Sequence, residues 1–203
     1  MLLDIIHQGT IGASLVENDF ANTLCGVSLS DSLFSFVLEK YFTCSACELR
    51  SPSFEHSKFV NIIPLCGASL QVLLKQGLEM EVYKSCSQCK KDTKHVGSCK
   101  FLQPPQYLII IVNRFDNNNG IMTKNKTLIP LDQRIISGQF IFYLHAIIDH
   151  HGQSLGSGHY TASIVCCNDV YYCNDSRITV YDIGSIRDSP TVYIMIYKLY
   201  NNV

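Results

Sequence analysis

Two Cys-x-x-Cys pairs, Cys44-Ser-Ala-Cys47 and Cys86-Ser-Gln-Cys89, constrain the fold of this chain more than any other feature. Each pair presents two thiols from one tight turn, and together they offer the four sulfur ligands that a structural zinc ion binds in a tetrahedron. A redox Cys-x-x-Cys is normally single and lies near a βαβ unit, which this pattern lacks; four unliganded thiols are the remaining alternative. We therefore expect the turns to share a structural Zn²⁺ ion with no catalytic role, because protein ligands fill all four positions.

The residues around these pairs predict short strands and helices. Ser69 to Leu78 has helical spacing, and other apolar residues between the pairs alternate as in strands: Phe54, Phe59, Val60, Ile62 and Ile63. Residues 1–40 are expected to be mostly helical, with two apolar stripes. The first stripe is Leu2, Leu3, Ile5 and Ile6. The second, which Ser28, Ser30 or Asp31 would cap, is Leu29, Leu33, Phe34, Phe36, Val37 and Leu38.

The composition is that of an ordinary globular chain. Its 203 residues carry a formal net charge of −1, so we expect no nucleic acid partner. The longest apolar run, Tyr107 to Val112, is far shorter than the roughly 20 residues of a membrane helix, so we expect no membrane partner. The N-terminus lacks the basic region of a secretory signal. Metal-type cysteine pairs indicate a reducing compartment, so we expect a cytoplasmic and/or nuclear protein.

The segment from Leu102 to Lys126 predicts a buried strand followed by a loop. Pro104 and Pro105 end whatever element precedes them, and the apolar run that follows has the profile of a strand covered on both faces. Asp116 to Lys126, with three consecutive asparagines and Gly120, is a loop by composition.

A β-hairpin is predicted near the C-terminus, with His159 at the start of its first strand. Residues 160–166 and 170–173 are rich in β-branched and aromatic types, and the residues between them have turn chemistry. A four-residue loop would place Asn174 opposite Thr161, on the same face as His159. A loop one residue longer or shorter would present Asp175 instead, so both partners stay open.

A histidine held by an amide or a carboxylate is two thirds of a nucleophilic triad, because the partner fixes the tautomer that leaves the other ring nitrogen free. Gly156 and Gly158 let the backbone before His159 turn sharply and leave room for a substrate. The alternative is a buried hairpin in which the histidine only satisfies a hydrogen bond.

These motifs resemble those of the ubiquitin-specific proteases, papain-like cysteine peptidases that cleave ubiquitin from its conjugates. The resemblance rests on Gly158-His-Tyr-Thr-Ala162, Tyr171-Tyr-Cys-Asn-Asp-Ser176, the proline-led strand ending at Arg114-Phe115, and the terminal strand Thr191 to Lys198. It implies an α+β fold with an antiparallel palm sheet and zinc-ribbon fingers. Residues 1–203 would form a partial catalytic domain: a helical remnant at 1–40, zinc-binding fingers at 41–100, and a palm with the histidine box at 101–203.

The resemblance also implies roles for individual residues. His159 would be the general base, Asn174 or Asp175 would orient it, and Gly158 and Tyr160 would bind substrate. The metal ligands would be Cys44, Cys47, Cys86 and Cys89. The partner would be ubiquitin or a ubiquitinated protein.

The nucleophile and the helical thumb that carries it are expected to be missing. Cys25 follows Asn22-Thr23-Leu24, which differs from the family's Asn-Thr-Cys-Tyr box by an inserted leucine and a missing tyrosine. Only 18 residues separate it from Cys44, where the family has a helical subdomain. We therefore expect a deubiquitinase-family chain that is inactive alone. The alternatives are a catalytically silent ubiquitin-binding module and an unrelated zinc-ribbon interaction domain.

Overall fold

The computed structural model describes residues 28–154 and 156–200, which form two short α-helices and fourteen β-strands in three sheets. The helices are α1 (Leu29–Phe34) and α2 (Leu70–Leu78). The strands are β1 (Phe36–Cys44), β2 (Arg50–Ser57), β3 (Phe59–Ile62), β4 (Met80–Ser85), β5 (Asp92–Gln103), β6 (Tyr107–Val112), β7 (Phe115–Asn118), β8 (Ile121–Lys124), β9 (Arg134–Ser137), β10 (Phe140–His151), β11 (His159–Cys166), β12 (Asp169–Asn174), β13 (Arg177–Asp182) and β14 (Val192–Leu199). Within these ranges, no helix has the length and apolar character needed to cross a membrane.

The finger sheet contains four strands in the order β2-β1-β5-β4. β1 and β5 are antiparallel, with Cys44 opposite His95 and Val37 opposite Gln103. Because of this pairing, the β1–β2 turn and the β4–β5 turn project from the same end of the sheet. These turns contain the two cysteine pairs, so the pairing of β1 with β5 brings the pairs together.

The palm sheet contains eight strands in the order β13-β12-β11-β10-β14-β6-β3, with β9 paired to β10. Only β3 and β6 are parallel, so the predicted α+β class with an antiparallel palm sheet is confirmed. β6 forms at the predicted apolar run and is covered on both faces. α2 forms at the segment with helical spacing, capped by Ser69, and its leucines 70, 73 and 74 are buried in the core.

Three aromatic rings join the two sheets. Phe36 of β1 packs edge-on against Phe101 of β5, with ring centroids 5.1 Å apart, and Phe101 packs against Phe142 of β10 at 6.0 Å. Phe36 and Phe142 are almost completely buried. The finger sheet and the palm sheet therefore share one continuous hydrophobic core.

The predicted helical stripe from Leu29 to Leu38 is wrong in its second half. Ser28 caps α1 as expected, accepting a hydrogen bond from the Asp31 N–H, but the helix ends at Phe34 and Phe36 begins a nine-residue strand. Along β1, buried and half-buried residues alternate with the period of a strand. The first stripe, Leu2 to Ile6, and Cys25 lie outside the described residues.

The segment predicted as a loop from Asp116 to Lys126 contains a two-stranded ribbon, β7–β8. Asn119 and Gly120 form its turn, and both have positive φ angles, 53° and 86°. Asn-Gly is the dipeptide that such tight hairpin turns prefer, because both central residues must adopt left-handed conformations. The asparagine-rich composition therefore marked a hairpin turn within the segment.

The stretch predicted as fingers, residues 41–100, is divided between the two sheets. β3 pairs in parallel with β6, and α2 packs on β3, so both belong to the palm. The finger sheet itself begins earlier, at Phe36, and continues to Gln103. The long strands β1 and β5 thus run from the shared core to the cysteine-bearing turns.

Replacing Phe142 with alanine is expected to lower the free energy of unfolding by about 3–5 kcal/mol, because it leaves a cavity where the two sheets meet. Urea denaturation measures the change. The neighbouring Tyr143, whose side chain is 44% exposed, is the matched control, and its replacement by alanine should cost less than about 1 kcal/mol. Equal losses for the two variants would contradict the shared core.

Candidate functional site

The hairpin formed by β11 and β12 carries the predicted histidine and its partner. Its turn consists of Cys167 and Asn168, with Cys166 paired to Asp169 and Ala162 paired to Cys173. The turn is shorter than the four-residue loop considered from the sequence but keeps the same parity. Thr161 and Asn174 therefore follow as the next facing positions, on the sheet face that also carries His159.

His159 and Asn174 are joined by a hydrogen bond of 2.7 Å between Nε2 and the amide oxygen Oδ1. An amide oxygen only accepts, so Nε2 of His159 carries the proton and Nδ1 is left with a free lone pair. Asp175 lies in the turn after β12 with a left-handed φ of 51°, and it makes no hydrogen bond to His159. Of the two residues that the sequence left open as partners of His159, Asn174 is the one that contacts it.

A groove lies beside His159 on the same face of the palm sheet. Its cavity has a volume of about 410 Å³, and its lining includes Asp149, His151, Thr161 and Tyr172. His151 faces His159 across the strands, with ring centroids 6.3 Å apart, and its Nε2 lies 2.9 Å from the Thr161 hydroxyl. No sequence pattern identified His151 as a neighbour of His159, because the contact depends on the β10–β11 register.

Gly158 and Tyr160 flank His159 and contact a buried histidine, His150. A Cβ atom built on Gly158 would overlap Nε2 of His150, so only glycine fits at this position. The Tyr160 ring packs against the His150 ring at 4.8 Å but leaves 52% of the residue exposed. Residue 158 thus lies on the His150 ring, and Tyr160, adjacent to His159 in β11, presents an accessible aromatic ring on the opposite face of the strand.

Arg114 is a buried cation that ties together the segments behind this site. Its guanidinium donates to four backbone carbonyls, those of Asn125, Thr127, Ser189 and Val192, at 2.6–3.0 Å. Burial lowers its pKa to about 10, so it stays charged at neutral pH. Five N–H donors in one planar group let a single side chain hold the β8–β9 connection against the start of β14.

The two cysteine pairs form a second candidate site, at the tip of the finger sheet. The Sγ atoms of Cys44, Cys47, Cys86 and Cys89 all lie within 4.8 Å of one another, an arrangement that can hold a metal ion. The Thr93 hydroxyl, 3.2 Å from the Cys44 sulfur, helps to lower the pKa of that thiol to about 6. Cys44 therefore favours the thiolate form, which is the form that binds metal.

The two cysteine turns have the same backbone construction. In each, the N–H of the residue after the second cysteine donates to the carbonyl of the first, Glu48 to Cys44 at 2.9 Å and Lys90 to Cys86 at 3.0 Å. Glu48 and Lys90 also share left-handed φ angles of 59° and 54°. Two copies of one turn, facing each other, arrange the four sulfurs around a common centre.

Outside this cluster, the structure describes five further cysteines: Cys66, Cys99, Cys166, Cys167 and Cys173. None of these described thiols makes a hydrogen bond to His159, whose bond goes to Asn174. Cys25, which the sequence comparison rejected as a nucleophile, lies in the part that the structure leaves undescribed.

Comparison with known proteins gives consistent matches. The family model described as ubiquitin carboxyl-terminal hydrolase matches residues 2–197. Ubiquitin carboxyl-terminal hydrolase 21 of Rattus norvegicus is 29% identical over 188 residues, and ubiquitin carboxyl-terminal hydrolase 3 of Mus musculus is 30% identical over 200 residues. Each match covers 82% of this chain, but only 33% and 38% of the relatives. The chain therefore spans about a third of the length of these curated relatives.

A solved structure has the same fold. It is a SAGA DUB module containing Ubp8 and bound to monoubiquitin, with a TM-score of 0.81 and 16% sequence identity. The match covers 98% of this chain and 47% of that chain.

Replacing Arg114 with methionine is expected to lower the free energy of unfolding by at least about 3 kcal/mol, because four carbonyls lose their donor. Lysine should restore little of this loss, since one ammonium cannot reach carbonyls that a planar fork spans. Urea denaturation checks both variants. The exposed Arg187, replaced by methionine, serves as the control, and full stability of Arg114→Lys would show that the fork is unnecessary.

Proposed function

This chain belongs to the ubiquitin carboxyl-terminal hydrolase family, and from that premise we propose that His159 is the general base for thiol-dependent hydrolysis of ubiquitin conjugates. The 2.7 Å bond to Asn174 carries the proposal, because it holds the proton on Nε2 and leaves Nδ1 available. Asn174 is the orienting residue in this proposal, in preference to Asp175.

The proposed chemistry follows from the free lone pair on Nδ1. Nδ1 takes the proton of a cysteine thiol, and the thiolate attacks the carbonyl carbon at the C-terminus of ubiquitin. The imidazolium then donates its proton to the leaving amine of the conjugate. In a second step, the free base activates a water molecule that hydrolyses the thioester. Throughout, the Asn174 amide keeps the ring in one orientation.

We propose that this chain does not catalyse hydrolysis alone. The described thiols make no hydrogen bond to His159, and the residues around Cys25 depart from the family's nucleophile box. The lack of a thiol bonded to His159 among the described residues also favours a second candidate function, a catalytically silent module that binds ubiquitin through the surface around His159. Reactivity toward a thiol-trapping probe separates catalysis from binding.

Ubiquitin is the proposed partner, and Gly158 and Tyr160 are the proposed contacts beside His159. Gly158 is exposed immediately before β11, and the exposed Tyr160 ring offers an approaching peptide a surface. A matched structure is bound to monoubiquitin, which supports this choice of partner.

The four-cysteine cluster is proposed to hold a structural Zn²⁺ ion. Four sulfur ligands from two tight turns suit zinc, which binds thiolates in a tetrahedron. When bound, the ion would join the β1–β2 and β4–β5 turns and take no part in catalysis. A site built from thiols also fits a reducing compartment, so we propose a cytoplasmic and/or nuclear location.

The purified protein is expected to contain one equivalent of zinc by elemental mass spectrometry. Cys86→Ser should lose the ion and lower the melting temperature, because metal binding contributes on the order of 10 kcal/mol to folding of such a segment. Cys66→Ser, which changes an exposed thiol outside the cluster, should retain both. A Cys86→Ser protein with full zinc content and unchanged melting would refute the assignment.

The chain is expected to bind ubiquitin, as measured by NMR titration, but to form no adduct with a ubiquitin vinyl sulfone probe. Tyr160→Ala should weaken binding, whereas Tyr143→Ala, on an exposed tyrosine of β10, should not. Labelling of Cys25 by the probe would disprove the proposal that this chain is inactive alone. Absence of binding would disprove the proposal that ubiquitin is its partner.

The general-base role is tested in any longer product of the same gene that hydrolyses a fluorogenic ubiquitin substrate. His159→Ala should lower kcat/KM there by about 10²–10⁴-fold, the usual contribution of a positioned acid or base. His56→Ala, which changes an exposed histidine of the finger sheet, is the control. Full activity of His159→Ala would exclude the role.

A further inference from the structure

Lys124 joins the β7–β8 ribbon to the segment that precedes His159. Its Nζ atom lies 2.6 Å from the carbonyl oxygen of His150, 2.9 Å from that of Gly152, and 3.3 Å from Nδ1 of His150. An ammonium group has three N–H donors, so these three acceptors satisfy it completely. All three acceptors belong to the end of β10 and the turn that follows it. One side chain thus connects two segments that are 26–28 residues apart.

The His150 ring transmits this connection to the backbone beside His159. The residue is only 2% exposed, and its ring packs against Phe115 at 5.7 Å, Tyr160 at 4.8 Å and Tyr193 at 6.0 Å. Gly158 lies directly on the ring, since any Cβ there would overlap Nε2. The position of the ring therefore decides where the residue before His159 can lie.

The electrostatics of this contact agree with its geometry. Burial lowers the pKa of His150, and the neighbouring Lys124 charge lowers it further. A neutral imidazole offers an acceptor nitrogen, so Nδ1 can accept the Lys124 N–H. The pKa of Lys124 is also lowered, mainly by burial and then by the charge of Arg114. An ammonium that loses water in this way relies on its three protein acceptors.

The segment before His159 needs such support. It contains Gly152, Gly156 and Gly158, residues that place little restriction on the backbone. Its described side-chain hydrogen bonds are local, between Ser154 and Ser157. His159 is itself exposed, and its side chain makes one hydrogen bond, to Asn174. A displacement of the His159 ring by about 1 Å away from Asn174 would break that bond.

We propose that Lys124 and His150 are positioning residues: Lys124 holds the His150 ring beneath Gly158, and the ring fixes the backbone that directs His159 toward Asn174. The inference rests on the proposed function, in which His159 is the general base. Lys124 acts through His150 and contacts neither His159 nor Asn174 in the described structure.

The test is the tautomer of His159, read by NMR from protein labelled with ¹⁵N-histidine, at a pH where the ring is neutral. The wild-type chain should show one form, protonated at Nε2. Lys124→Met should convert His159 to a mixture of tautomers, because the ring is no longer held against Asn174. Lys126→Met is the matched control, since Lys126 is exposed and its removal leaves the His150 contacts intact. It should keep the wild-type spectrum.

A folded Lys124→Met protein, judged by circular dichroism, with an unchanged His159 spectrum would overturn the proposal. If Lys124→Met does not fold, the wild-type protein decides the question. It must show nuclear Overhauser contacts between the Lys124 ε-protons and the His150 ring together with a single His159 tautomer; a wild-type mixture of tautomers overturns the proposal. The spectrum requires neither a nucleophile nor a substrate, so failure of the inference is distinct from failure of the hydrolysis assay.

Discussion

The antiparallel register of β10, β11 and β12 is the constraint on which the candidate site depends. In a strand, side chains alternate between faces, so a slip of one residue would move His159 or Asn174 to the opposite face of the sheet. The two-residue turn at Cys167 and Asn168 sets this parity. Cys167 has a φ of 57° there, a left-handed conformation that usually favours glycine, which indicates that the pairing of the strands overrides the local preference.

The register holds because the sheet around it is firmly anchored. The Phe36, Phe101 and Phe142 rings join the palm to the finger sheet, and the Arg114 guanidinium joins the start of β14 to the β8–β9 connection. The cysteine cluster contributes to the finger sheet and not to the register of the palm strands. It lies at the far end of β1 and β5, where few apolar side chains are buried, and a shared ion there would replace a missing core.

The sequence predicted best where the determining interactions are local. The cysteine turns, α2 with its Ser69 cap, and β6 all follow from spacing and composition within a few residues. Phe36, Val37 and Leu38 are predicted as helical but form a strand, because their apolar positions fit both helical and strand periods. Lys124 and His150 had no sequence signal as a pair, since the contact forms only when the β7–β8 ribbon packs against the end of β10. The choice between Asn174 and Asp175 depended on one residue of turn length.

The contact between His159 and Asn174 forms within a single hairpin, and this has a consequence for how the site can evolve and be assembled. The proposed base and its proposed orienting residue are positioned by β11 and β12, with Lys124 and His150 beneath them, and all of these lie between residues 115 and 174. A nucleophile supplied by another segment would meet a base that is already oriented, so binding energy would not be needed to order it. The same preorganised hairpin would persist in a relative that has lost its nucleophile, because its stability comes from strand pairing and burial. The geometry of His159 is therefore compatible with both catalysis and silent binding of ubiquitin. What distinguishes the two proposed functions is whether a reactive thiol reaches His159.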